Sequence, residues 1–137
     1  MNRILNTILM IAIALSTMAC AKRIELAGEW RISSVAEDTI QVTEASPSLS
    51  FNANTGRIHG YTGVNIVNGE YVHEGRRLSL KGLGVTMMAG PEEDMKIERA
   101  ILDAFNDVKT IKMTDEGVLQ MLNSKAEVIM TLVRHDH

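Results

Sequence analysis

The stretch Leu49-Ser50-Phe51-Asn52-Ala53-Asn54-Thr55-Gly56-Arg57-Ile58-His59-Gly60-Tyr61 decides the fold class of this chain. Apolar residues alternate with polar ones on both sides of a centre that is rich in Asn and Gly. Alternation with a period of two is typical of a strand with one buried face. Asn and Gly tolerate the positive φ that tight turns require. The stretch therefore predicts two antiparallel strands joined by a hairpin turn.

The same alternation recurs along most of the chain. Segments around residues 29–32, 70–72 and 78–80 predict further strands, and we expect Trp30 and Ile32 to point inward. We also expect Gly82 and Gly84 to loosen the chain after the third of these segments. Beyond residue 109, segments 110–113, 118–122 and 128–133 are separated by turn sequences and predict a three-stranded meander.

One segment has helical periodicity. Pro91 suits a first helical turn, and Glu92-Glu93-Asp94 places negative charge near the positive end of a helix dipole. Apolar residues then recur at helical spacing as Ile97, Ile101, Leu102, Ala104, Phe105 and Val108. We predict one main helix over about 91–108. Together with the short strands, it predicts an α+β, strand-dominated fold, either an antiparallel curled sheet or a partly closed barrel.

The first 20 residues have the features of an export signal. Arg3 supplies a cation, an apolar run occupies residues 8–15, and small residues lead to Ala19-Cys20. This order is typical of a secretory signal peptide, and a cysteine after the cut resembles a bacterial lipoprotein signal, in which the thiol is acylated. We predict lipid attachment at Cys20. The predicted divisions are a signal peptide at 1–19, a lipidated tether at 20–26, one domain at 27–134 and a tail at 135–137.

Two other interpretations of this segment compete with acylation. A transmembrane helix needs about 20 consecutive apolar residues, and Asn6 and Thr7 interrupt the run here. A cleaved signal with an incidental cysteine stays open, since Thr17 occupies the place of the usual lipobox leucine. Acylation is the favoured interpretation because it provides stable anchoring without a transmembrane segment.

Charge and cysteine content exclude several classes of function. Removal of residues 1–19 would leave 13 Lys or Arg against 17 Asp or Glu, a slightly acidic chain. A nucleic-acid-binding protein needs a basic face, so we expect no nucleic-acid partner. Cys20 is the only cysteine. Its acylation would leave no thiol for nucleophilic catalysis, redox chemistry or zinc binding.

Several short motifs resemble the META domain, the module of HslJ-like heat-shock lipoproteins. Leu26-Ala27-Gly28-Glu29-Trp30 resembles the family's opening Leu-x-Gly-x-Trp, and Gly60-Tyr61-Thr62-Gly63-Val64-Asn65 its Gly-x-x-Gly-Cys-Asn loop. Gly69-Glu70-Tyr71 follows as Gly-x-Tyr. Thr86-Met87-Met88-Ala89-Gly90-Pro91 resembles Thr-Arg-Met-Ala-Cys-Pro before the helix, and Glu98 falls where the family carries a helix glutamate. The resemblance covers nearly the whole chain after residue 20.

The chain departs from this family at three positions. Val64 and Gly90 replace both family cysteines, and their joint loss fits two positions that meet in space. Met87 replaces the family's arginine, which argues against anion binding there. The family is associated with envelope stress, drug tolerance and outer-membrane attachment. The resemblance therefore implies a cellular setting rather than a reaction.

The family-signature residues Gly60, Gly63, Asn65, Thr86 and Met88 are the main site candidates. The two glycines would expose backbone donors in a ligand-binding loop. The favoured interpretation is instead a sharp corner, in which Asn65 bonds neighbouring backbone groups. For Thr86 and Met88 we favour packing between strand and helix over contact with a partner.

Catalytic and metal sites have little support in the sequence. His59 and His73 lie on adjacent predicted strands, but no carboxylate accompanies them. His135-Asp136-His137 is best explained as a polar tail. There is no Gly-x-Ser-x-Gly motif for serine hydrolysis. We predict no catalytic residues, no metal and no cofactor.

The sequence thus predicts a lipid-anchored protein of the bacterial cell envelope that is not an enzyme. Ala21, rather than Asp, follows Cys20, which favours the outer membrane, facing the periplasm. We expect a binding or structural module in the envelope stress response, with an envelope protein as partner. The alternatives are a small-ligand binder with a pocket at the open end of the barrel, and an inhibitor that inserts loop 60–65 into an envelope hydrolase. A binder needs a cavity, an inhibitor a protruding loop, and a scaffold an exposed apolar patch.

Overall fold

The computed structural model describes residues 23–135, which form nine strands and one helix. The predicted signal peptide, Cys20 and residues 136–137 lie outside the described part. Helix α1 spans Glu92–Asp107 with Pro91 as its N-cap, close to the predicted 91–108. No helix within 23–135 has both the length and the apolar character needed to cross a membrane. The strands are β1 Gly28–Val35, β2 Asp38–Thr39, β3 Ser48–Asn52, β4 Arg57–Tyr61, β5 Ile66–Glu74, β6 Arg77–Val85, β7 Thr110–Met113, β8 Leu119–Leu122 and β9 Val128–Arg134.

The sheet closes on its first strand. Each strand from β3 to β8 pairs antiparallel with the next, and β1 pairs with both β3 and β9. The short β2, which had no counterpart among the predicted strands, extends the sheet on β1. The pairing between β6 and β7 is short, since the described register consists of Arg77 opposite Thr110. The predicted strand-dominated α+β fold with an antiparallel curled sheet is confirmed.

The core lies inside this ring because alternate side chains of the strands point inward. Trp30 and Ile32 are buried as predicted, at 1% and 0% exposure. The apolar face of α1 packs on the same core through Ile101, Ala104 and Phe105. Burying one large apolar side chain contributes about 1.5–3 kcal/mol, so this shared core holds the helix against the ring. The other buried strand residues are Val35, Leu49, Phe51, Ile58, Val67, Leu78, Ile111, Leu119, Met121, Met130 and Leu132.

Strand β6 differs from the sequence-based expectation. Gly82 and Gly84 do not loosen the chain, because β6 continues through both. Two residues of β6 lie opposite Gly69 of β5, which makes a β-bulge, and Gly82 takes a φ of 58° there. A Cβ on Gly69 would stand 2.8 Å from the carbonyl oxygen of Lys81. The glycines therefore keep β5 and β6 paired through a bend.

The two ends of the ring differ, and we name them the helix end and the open end. At the helix end, α1 begins after β6 and loop 62–65 joins β4 to β5. The helix ends before β7, whose first residue lies opposite Arg77 at the start of β6. At the open end lie the start of β1, turn 75–76 and turn 114–118. Residues 23–27 therefore meet the ring at the open end. The described strands, the described helix and the described core lie within 23–135, so a chain that begins at Ala21 keeps every described contact and is expected to fold on its own.

Candidate functional site

Three of the five predicted site residues meet at the helix end. Asn65 is 2% exposed in the loop between β4 and β5, whereas Thr86 and Met88 follow β6. The side-chain oxygen of Asn65 accepts hydrogen bonds from the Thr86 hydroxyl at 2.9 Å and from the Met88 N–H at 2.7 Å. Its side-chain nitrogen donates to the Met88 carbonyl at 3.0 Å. One buried amide therefore fixes the linker between β6 and α1.

The other two predicted residues, Gly60 and Gly63, shape the backbone. A Cβ on Gly60 would stand 3.0 Å from the carbonyl oxygen of Ser48 on the neighbouring strand. Gly63 has a φ of 97°, which L side chains rarely adopt. Close strand packing and a tight corner thus explain both glycines.

Glu98 lies on the buried side of α1 and is 6% exposed. Its Oε2 accepts a hydrogen bond from the Thr62 hydroxyl at 2.5 Å, and Asn65 Nδ2 lies 2.8 and 3.1 Å from the two carboxylate oxygens. No salt bridge joins Glu98 to another described residue. A buried carboxylate is costly unless hydrogen bonds satisfy it. Here the donors come from loop 62–65, so the helix is tied to that loop.

Thr62, rather than Asn65, binds the neighbouring backbone groups of loop 62–65 with its side chain. Its hydroxyl accepts hydrogen bonds from the N–H groups of Val64 and Asn65, at 3.2 and 2.9 Å, while it donates to Glu98. The side chain of Asn65 does bond backbone groups, but these groups do not belong to its own loop. Asn65 instead reaches Met88, 23 residues away. We name the four side chains Thr62, Asn65, Thr86 and Glu98 the polar clamp.

Two members of the polar clamp, Glu98 and Thr62, were absent from the predicted site. Glu98 had a signal: it precedes Ile101 by three residues and Phe105 by seven, so it lies on the apolar face of the helix. An acidic residue is unusual on such a face. Thr62 had no comparable signal, because its role depends on a helix position 36 residues later.

The polar clamp is built for holding segments together rather than for chemistry. Each side-chain oxygen and nitrogen of the clamp has a hydrogen-bond partner among the described residues. A general base or nucleophile must present a lone pair to a substrate. Glu98 is the acidic group here, and both of its oxygens are engaged in the protein interior.

The histidines considered for a metal site lie apart. His59 Nδ1 is 2.9 Å from the side-chain oxygen of Asn68, whereas His73 Nε2 is 2.8 Å from a backbone carbonyl in turn 75–76. Among residues 23–135, no three His, Cys, Asp or Glu side chains come together in a way that would hold a metal ion.

The two positions that carry cysteine in the family meet in space. A Cβ built on Gly90 would stand 3.7 Å from the Val64 Cβ and 3.0 Å from its nearest methyl group. Cβ atoms of a disulfide are about 3.5–4.5 Å apart. The inference that these positions meet is confirmed. In this chain the valine methyl groups lie against the space that a side chain at position 90 would occupy.

Apolar side chains are exposed around the polar clamp. Tyr61 and Ile66 face each other across β4 and β5, at 37% and 39% exposure. Met87 and Met88 are 94% and 58% exposed, on the segment that pairs with Ile66 after β6. We name Tyr61, Ile66, Met87 and Met88 the apolar rim. Because Asn65 binds both the N–H and the carbonyl of Met88, the backbone beneath the rim is fixed.

A cavity of about 1040 Å³, which we name the mouth, occupies the open end. Trp30 lies at its inner wall, and the Arg134 guanidinium is 4.0 Å from the centre of the indole ring. Arg134 also donates hydrogen bonds to the backbone carbonyls of Glu25 and Ala27, at 2.7 and 2.5 Å. The end of β9 therefore holds the segment that leads into β1.

The META domain family model matches residues 23–136 of this sequence. The chain belongs to the META domain family. The motifs that carried the resemblance meet at one place in this META domain, since loop, linker and helix glutamate together form the polar clamp.

Solved structures share the fold of this META domain. An NMR structure of a protein from Burkholderia xenovorans is similar, with a TM-score of 0.63 and 22% identity, over 89% of this chain and 96% of that one. A crystal structure of a DUF4847 family protein from Bacteroides vulgatus has a TM-score of 0.60 at 11% identity, over 83% of this chain and 96% of that one. No curated protein matches the sequence.

The proximity of Val64 and Gly90 predicts that a disulfide can be introduced in this META domain. In a Cys20→Ser background, Val64→Cys with Gly90→Cys should oxidise and stabilise the fold by about 3.5 kcal/mol, the value for a closed loop of this size. Thermal unfolding with and without reductant, together with a thiol count, measures this. The matched control is Val64→Ser with Gly90→Ser. Two free thiols after oxidation would contradict the geometry.

Proposed function

We propose that this META-domain chain is a non-catalytic module of the bacterial cell envelope, held on a membrane by a lipid on Cys20. The signal-like residues 1–19 before Cys20 support this anchor. Because Ala21 follows the cysteine, the protein is delivered to the outer membrane and faces the periplasm. It takes part in the envelope stress response, as the META resemblance implies. In this setting the apolar rim binds an envelope protein.

The observation that carries the binding role is the exposure of Met87 above a fixed backbone. Met87 is 94% exposed, and the next residue has both backbone groups held by Asn65. Methionine adapts to apolar partners of varied shape. Exposed apolar patches with polar surroundings are typical of protein-interaction sites. A fixed backbone lowers the entropy lost on binding.

Charge beside the apolar rim defines the chemistry of the partner. The first turn of α1 carries Glu92, Glu93 and Asp94, all exposed, directly after the linker. A complementary partner has an apolar pocket for Met87 and basic side chains that face these acids. Such charge complementarity mainly raises the association rate and the specificity.

The two alternative functions differ in their support. Loop 60–65 does not suit an inserting inhibitor, because Thr62 and Asn65 are 1% and 2% exposed and hold the polar clamp. A small-ligand binder is favoured by the mouth, a cavity of about 1040 Å³ at the end of the barrel where one was predicted.

Loss of the acylated cysteine is expected to release the protein from membranes. After a high-salt wash that screens charge contacts, Cys20→Ala should move the full chain into the soluble fraction, and it should abolish labelling by an alkyne fatty acid, because no acceptor thiol remains. Thr17→Leu is the companion variant: it supplies the lipobox leucine and should increase labelling. Membrane retention of Cys20→Ala, with no label on the wild type, would refute the anchor.

A charge in the apolar rim is expected to abolish partner capture. Met87→Glu should reduce the crosslinked envelope protein about tenfold or more, because it places a carboxylate in the contact. The readout is in-cell crosslinking of the tagged full chain, followed by pull-down. Val72→Glu is the matched control, since Val72 is 50% exposed on β5 outside the rim. Equal capture by both variants would refute a binding role for the rim.

A further inference from the structure

We infer that the mouth docks on the anionic headgroups of a phospholipid bilayer, so that the open end of the barrel faces the membrane. The mouth lies at the opposite end of the molecule from the apolar rim. It combines unpaired cations with the point at which the N-terminal segment meets the ring, and the charge differs between the two ends.

Three cations in the mouth have no partner in the described part of the chain. Arg23, Arg76 and Lys112 line the cavity and are exposed, and none forms a hydrogen bond or ion pair through its side chain with residues 23–135. One guanidinium group can donate two parallel hydrogen bonds to two oxygens of a phosphate, whereas an ammonium acts as a point charge. The mouth can therefore offer several contacts to phosphate diesters.

Acidic residues also line the mouth, but cations outnumber them. Glu25, Glu74 and Asp115 are the acids of the lining, against four cations when Arg134 is included. The helix end has the opposite balance, since the first turn of α1 carries Glu92, Glu93 and Asp94 and no basic residue. The domain is therefore electrically polar along the barrel. Near an anionic surface, this polarity favours the orientation with the mouth toward the lipid.

Apolar side chains accompany the cations. Ile24 and Met113 line the mouth and are half-buried. The bilayer interface is itself amphipathic, with phosphates above the glycerol and acyl groups. The mouth can therefore contact lipid phosphates with its cations and the layer below them with its apolar side chains. A small soluble anion would use the cations alone.

The N-terminal segment brings the mouth close to a membrane. Residues 23–27 meet the ring at the open end, and Arg134 holds two of their carbonyls. Arg23 is three residues from Cys20, about 10 Å of extended chain. Screening acts over about 8 Å at physiological salt. This step rests on the anchor proposed above, whereas the cavity and the charge distribution do not.

The test removes the anchor and measures the mouth alone. A chain that begins at Ala21 is sedimented at low salt with vesicles of equal parts phosphatidylglycerol and phosphatidylcholine, or with phosphatidylcholine vesicles. The mouth variant is Arg23→Gln with Arg76→Gln and Lys112→Gln. The control variant is Lys96→Gln with Arg99→Gln and Lys125→Gln, which changes the net charge equally. Thermal unfolding verifies that all three chains are folded.

The wild type and the control are expected to bind the anionic vesicles and not the zwitterionic ones. The mouth variant should lose about a hundredfold in partitioning, since each basic residue near a membrane surface contributes about fivefold. Equal losses in the two variants, or equal binding to both vesicle types, would overturn the inference. So would displacement by inorganic phosphate at matched ionic strength, which would assign the cations to a free anion. Because the tested chain lacks Cys20 and meets no protein partner, its failure leaves the proposed anchor and apolar rim standing.

Discussion

The buried carboxylate of Glu98 is the constraint on which the helix end of this META domain depends. It is 6% exposed, has no cation partner among the described residues, and accepts hydrogen bonds from Thr62 and Asn65. A buried carboxylate needs hydrogen-bond donors, because leaving a buried acceptor without one costs more free energy than a formed hydrogen bond contributes. The loop, the linker and the helix must therefore adopt one arrangement together.

Within a few residues, this arrangement places side chains that stabilise the fold beside side chains that are exposed to a partner. Asn65 faces inward and holds the backbone of Met88, while the side chains of Met87 and Met88 face solvent. The ring then presents two unlike ends. The helix end carries Glu92, Glu93 and Asp94 beside the apolar rim, and the open end has a small excess of cations around a cavity. With the anchor proposed above, the open end would face a membrane and the helix end a protein.

Local chemistry made most of the fold predictable. The hairpin 49–61, the meander after residue 109 and the helix followed from periodicity and turn residues, and each lies within a residue or two of its predicted position. Gly82 and Gly84 were misjudged because a bulge depends on the opposite strand. The candidate site was half predictable. Asn65, Thr86 and Met88 were named, but which atoms meet depends on Glu98, whose position relative to loop 62–65 is set by tertiary packing.

A double-mutant cycle between Asn65 and Glu98, measured by urea unfolding, tests most directly whether the polar clamp holds the fold. The account predicts that Asn65→Ala and Glu98→Ala each cost about 3 kcal/mol, because each leaves buried partners unsatisfied. The double variant should lose well under the sum of the two single losses in the free energy of unfolding, since both substitutions break the same contacts. Asn68→Ala, at an exposed position on β5, should cost under about 0.5 kcal/mol. An Asn65→Ala protein as stable as Asn68→Ala, yet unable to capture its partner, would contradict the account and make Asn65 a binding residue.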